Sequence, residues 1–254
     1  MKEDSINVLL AGETWIVHKT HVKGFDTVTL GGYEDFSEYF KDALSGHSEV
    51  ELTHIPNHLV KSDFPKTPDA LLEYDVIVLS DVGSNTLTLY PEMFEVPMGP
   101  DRLESIRQYV EKGGGLVMCG GWMSFQGFQQ KAAYGGTSIE KALPVNILEM
   151  DDRVERTDGV SPKVEDGNSP VLKDMKSEEW PEFLGYNRLE EKEDAELVAT
   201  IGEKDPFIVV WSYGKGRSMA FASDLAPHWG TDFVEWDQYK KFWLNSLEWL
   251  SGRE

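Results

Sequence analysis

The chain carries one thiol, Cys119, and six imidazoles, among which His228 has carboxylates close by, Asp224 four residues before it and Glu235 seven after. These types support one nucleophilic chemistry: a thiolate attacks an amide, an imidazole acts as base, and an acid fixes its tautomer. The N–H groups of Gly120 or Gly121 would then stabilise the oxyanion. A second chemistry is recognition, in which Asp81, Trp122, Ser124, Gln126 and His228 hold a small polar ligand such as a sugar or an amino acid. The wider set of polar residues is Glu13, Thr14 and Trp15, then Asp81 and Ser84, then Gly120, Gly121, Trp122, Ser124 and Gln126, and finally Asp224 and His228.

Each of these residues also has a plainer reading. A lone cysteine at the end of an apolar run is usually an inert packing residue. A histidine beside a tryptophan in a loop is as often bonded locally as it is a site residue. His18 with His21, or His54 with His58, could share a metal ion on a helix, but turn and strand signals surround both pairs, so no metal is expected. Gly113–Gly115 and Gly120–Gly121 match neither dinucleotide nor phosphate-loop spacing, and they read as structural turns. No cofactor is implied. The eight tryptophans crowd toward the C-terminal helix, where core packing comes before sugar stacking.

The elements that must position these residues follow from apolar patterning. Residues 6–11 (INVLLA), 74–81 (YDVIVLSD) and 116–119 (LVMC) are short apolar runs closed by glycine or polar residues, as in parallel strands buried on both faces. Residues 50–55 alternate like a strand, and residues 35–44 and 100–112 have helical spacing, the second stopped by three glycines. Between residues 12 and 35 the glycines at 24, 31 and 32 suggest an irregular stretch. Short helices are expected at 139–143 and 171–175, a strand at 146–150, and a hairpin from 207–212 to 217–223. Residues 232–250 read as one long amphipathic closing helix. This order predicts an α/β fold, a doubly wound and mostly parallel sheet with an added antiparallel β segment. In such a sheet, ligands bind at the carboxyl ends of the strands, which is where the polar residues above fall.

Three segments, GGGLVMCGGWMSFQG (Gly113–Gly127), ASDLAPHWG (Ala222–Gly230) and the Trp-rich closing helix, resemble the class I glutamine amidotransferase-like family. The resemblance covers most of the chain. It implies a flavodoxin-like fold and a cysteine–histidine–acid chemistry, with Cys119, His228 and Asp224 as the candidate catalytic set. Two departures stand out. Active members place the cysteine between glycines on a sharp turn, whereas here Trp122 occupies the middle of the similar arrangement and Cys119 precedes both glycines. Active members also follow the histidine with proline and glutamate, whereas Pro227 precedes His228 and Trp229 follows it. The expectation is therefore a degenerate, ligand-binding form using Glu13, Asp81, Gly120, Gly121, Trp122, Ser124 and Gln126. The alternative is a cysteine-dependent amidotransferase or amide hydrolase using Cys119 and His228, and a third reading is an oligomer-forming subunit.

Composition bounds the partners. With 24 basic and 45 acidic residues among 254, the net charge is −21, which repels nucleic-acid phosphates and anionic membranes. A small polar molecule and a second copy of the chain remain as partners. A single cysteine excludes an internal disulfide and fits a reducing, cytoplasmic setting. The apolar run before Gly12 is too short for a signal peptide. A 40% apolar content suits one domain over 1–254, with an insertion or flap around 151–200.

Overall fold

The computed structural model describes residues 5–90, 99–176 and 179–253. Strand β1 (Ile6–Gly12) is buried along nearly its whole length, as its unbroken apolar run requires. The chain then leaves the sheet as an antiparallel hairpin, β2 (Thr14–Lys23) and β3 (Asp26–Asp35), paired from Thr14 with Asp35 to Lys23 with Asp26. The expected irregular stretch is therefore a long two-stranded arm. Its β-branched residues Ile16, Val17, Thr20, Val22, Val28 and Thr29 outweigh the Gly31–Gly32 pair, which lies inside β3 opposite His18 and Val17.

A helix at Glu38–Leu44 leads to β4 (Val50–Ile55), and β5 (Val76–Ser80) follows two short helices. The helix Arg102–Lys112 starts at Asp101, whose side chain accepts from the N–H groups of Leu103 and Glu104, and it delivers the chain to β6 (Gly115–Cys119). Next come β7 (Val145–Ile147), β8 (Arg153–Val160), β9 (Lys163–Val164), β10 (Phe183–Asn187), β11 (Leu189–Glu191) and β12 (Glu196–Ile201). Strands β13 (Asp205–Tyr213) and β14 (Gly216–Phe221) form the expected hairpin. The helical segments expected at 139–143 and 171–175 are 3-10 turns at Ser138–Ala142 and Pro170–Leu172, and the strand expected at 146–150 is the shorter β7.

Eight strands form one sheet in the order β4-β1-β5-β6-β14-β13-β12-β9. Pairs from β4 to β14 are parallel, and the rest are antiparallel. Residues 151–200 thus split: β9 and β12 extend the main sheet, while β8 and β10 pair with each other. The expected single closing helix is two, Pro227–Val234 and Tyr239–Ser251. Turn hydrogen bonds from Trp236 N–H to Phe233 O and from Tyr239 N–H to Trp236 O break it. The break lets Trp236 pack on Trp180 at 4.8 Å between ring centroids, and Gln238 Oε1 takes the Lys176 N–H. Trp243 is wholly buried, edge-on to Phe40 and Phe221 at 5.3 and 5.5 Å, so this helix seals the aromatic core beneath the sheet. Among the described residues no helix is long and apolar enough to cross a membrane.

Candidate active site

The carboxyl ends of β1, β5, β6 and β14 converge, as the sheet rule requires, and each supplies a residue to one cluster. Glu13 follows β1 and Asp81 follows β5, and both adopt left-handed backbone, with φ of 56° and 46°. Side chains other than glycine rarely take this conformation, which costs on the order of 1 kcal/mol or more at each residue and is concentrated at functional sites. Here it turns two carboxylates inward. Glu13 is fully buried, and its Oε1 accepts from Ser80 Oγ at 2.5 Å. Its Oε2 is also buried and has no hydrogen-bond partner among the described residues. Burial, then the charges of Asp224 and Asp81, pushes the Glu13 carboxyl well above its ordinary value.

Asp81 is fixed by two donors, Met123 N–H at 2.6 Å and Trp15 Nε1–H at 3.0 Å, while its own N–H donates to Ser124 Oγ. Burial raises its carboxyl as well. Asn57 ties the strand ends together, donating from Nδ2 to the carbonyls of Thr14 and Asp81 and from its N–H to Thr14 Oγ1.

Asp224 lies just beyond β14. It accepts from Ala226 N–H at 2.9 Å and meets His228 Nδ1 at 2.7 Å. Burial pushes the Asp224 carboxyl up and the His228 imidazole down. The imidazole is gripped by the rings of Trp15 and Phe36, with centroids 4.3 and 4.5 Å away, and its Nε2 is buried without a hydrogen-bond partner among the described residues. Donor atoms of Glu13, Asp224 and His228 all lie within 4.8 Å of one another.

Above this floor opens a cleft of about 740 Å³, whose walls include Trp15, Trp122, Phe128, Leu184 and Trp229, with Asp81, Asp224 and His228 below. Trp122 is half exposed and stacks on Phe128 at 5.0 Å. Glu155 of β8 braces two walls at once, accepting from Trp122 Nε1–H at 3.1 Å and Trp229 Nε1–H at 3.0 Å.

The structure brings Glu13, Trp15, Asp81, Gly121, Trp122, Asp224 and His228 together and separates others. Cys119 is fully buried and does not line the cleft, and burial, then Glu13 and Asp224, pushes its thiol well up. The N–H groups of Gly120 and Gly121 already donate to Phe221 O and Asn187 Oδ1, at 2.8 and 2.9 Å, so the expected oxyanion donors are taken. Ser124 acts behind Asp81. Gln126 stands outside the cleft lining, donating its N–H to Asp152 and accepting from Gly135 N–H. Ser84 Oγ donates to Ala133 O, and Glu235 faces a separate groove with Tyr39 and Lys240. His18 and His21 lie on the exposed arm, while His54 is bonded to Gly12 O and His58 packs on Tyr33.

Sequence reasoning missed Glu155, Thr157, Leu184 and Trp229. The only available signal was the i, i+2 spacing that places Glu155 and Thr157 on one face of β8.

A protein-family model described as "Putative glutamine amidotransferase" matches residues 7–252. Two solved structures from Salmonella typhimurium, both named cytoplasmic proteins, are each 40% identical to the chain. The first match covers 96% of this chain and 98% of the other at a TM-score of 0.90, and the second covers 96% and 99% at 0.91. A ThuA-like protein from Parabacteroides merdae shares the fold at 12% identity and a TM-score of 0.56, over 97% of this chain and 90% of its own. No curated protein matches. The chain belongs to the glutamine amidotransferase-like family that the model describes.

Proposed function

We propose that this member of the glutamine amidotransferase-like family recognises a small polar ligand in the aromatic-walled cleft and does so without a thiol. The observation that carries the reading is the placement of Cys119, buried and outside the cleft, while Asp81, Trp122, Asp224 and His228 line it. The order of the five parallel strands, β4-β1-β5-β6-β14, corresponds to the flavodoxin-like 2-1-3-4-5 arrangement, which supports a ligand site at these strand ends. No lysine or arginine lines the cleft among the described residues. Its carboxylates disfavour a phosphate or carboxylate group on the ligand, and its indoles favour sugar faces or ammonium groups. The names of the Salmonella relatives, with the single cysteine, support a cytoplasmic setting.

The test is a titration with neutral sugars, amino acids and amines in EDTA, read by tryptophan fluorescence and melting temperature. One class should alter the emission and stabilise the fold, by about 2.7 kcal/mol at a hundredfold excess over Kd. Trp122→Ala should lose the response and Cys119→Ser should keep it. Loss in a folded Cys119→Ser variant, or turnover of glutamine by the wild type, overturns the reading.

A further inference from the structure

We propose that Glu13 and His228 bind a divalent transition-metal ion at the floor of the cleft, through Oε2 and Nε2, with Asp224 holding the imidazole from behind. Two buried polar atoms, Glu13 Oε2 and His228 Nε2, lack a partner in one cluster. A buried polar atom left unsatisfied is costly, so this pair marks a missing neighbour. A metal ion serves as neighbour to both: Oε2 of the ionised carboxylate offers lone pairs, as does Nε2 once Nδ1–H donates to Asp224, and the ion displaces any proton the carboxyl carries. Glu13, Asp81 and Asp224 are all buried, three carboxyl groups at one set of strand ends. A dication answers both demands at once.

The geometry has the form of a metal centre. A ligating histidine characteristically donates its other ring N–H to a carboxylate, and the 2.7 Å contact between His228 Nδ1 and Asp224 supplies that partner. One imidazole and one carboxylate suit zinc, manganese or iron better than calcium. Two ligands of one ion with bonds of about 2.1 Å can stand about 4 Å apart, and a ligand atom from each of Glu13, Asp224 and His228 lies within 4.8 Å of the others, the spacing of side chains gathered round one centre. The remaining positions would face the cleft and its ligand.

The full chain, stripped with EDTA, is titrated with Mn²⁺ and Zn²⁺ by calorimetry, and metal retained after desalting is measured by plasma emission. One equivalent per chain is expected, with affinity at least tenfold weaker in Glu13→Gln and in His228→Gln, each checked for its native melt. A His18→Asn/His21→Asn variant should bind as the wild type does, which separates the site from the exposed imidazoles. Asp224→Asn should weaken binding about 10–100-fold. No saturable binding, or equal binding in the Glu13 and His228 variants, overturns the proposal. The ligand titration in EDTA fails or succeeds independently of it.

Discussion

Two opposite environments follow one another along the chain after Gly12. First comes the cleft floor, where Glu13 and Thr14 are 0% and 1% exposed, and then the outer arm, where Val22 and Phe25 reach 73% and 109%. Both segments are extended chain rich in β-formers. They differ in what surrounds them: the floor is desolvated, which raises its carboxyls, whereas the arm holds its apolar side chains in the open. Similar local signals therefore yield a buried site in one place and an exposed hairpin in the other.

The widest separation between the interior and the arm should come from aromatic truncation. Trp243→Ala, in the core beneath the floor, should cost about 3–5 kcal/mol in urea denaturation. Phe25→Ser at the arm tip should stay within about 0.5 kcal/mol of the wild type at concentrations where both are monomeric. Comparable losses would mean that the arm packs on its own body.

A narrower contrast lies between two glycines of positive φ, Gly12 at 118° and Gly24 at 64°. A Cβ at Gly12 would sit 1.8 Å from Ser80 O, and one at Gly24 would meet nothing within 4 Å. Gly12→Ala should cost about 3 kcal/mol or more, because strand β5 must move. Gly24→Ala should cost about 1 kcal/mol, the left-handed penalty alone. Equal costs would break the comparison.

The smallest effect concerns pH. Glu13 has a folded pKa raised above the unfolded one, so its contribution to stability is complete below the ordinary carboxyl value and is lost as pH rises through the raised one. In EDTA, Glu13→Gln should melt above the wild type at pH 7–8, by about 2–4 °C for each kcal/mol recovered, and should flatten the slope above about pH 4.5. An unchanged slope would place the penalty on Asp81 or Asp224.

Much of the sheet was legible from residue types. The apolar runs of β1, β5 and β6 could only be strands covered on both faces, and Asp81, Asp224 and His228 were found because polar residues at such strand ends have one place to gather. The arm was not legible, since Gly31 and Gly32 mimic a loop unless their partners His18 and Val17 are known. The break after Val234 depends on Trp180 and Lys176, which lie far away in sequence. The meeting of Glu13 with Asp224 and His228, and the bracing of Trp122 and Trp229 by Glu155, are products of topology that no local spacing encodes.

The most direct test of the site is iodoacetamide alkylation of the folded protein across neutral and mildly alkaline pH, read by intact mass, with the single cysteine leaving no background. A cleft that works without a thiol predicts no labelling of Cys119 until denaturant is added, in the wild type and in His228→Ala alike. Rapid labelling near neutral pH that slows in His228→Ala would contradict this account and return the thiolate to the centre of the chemistry.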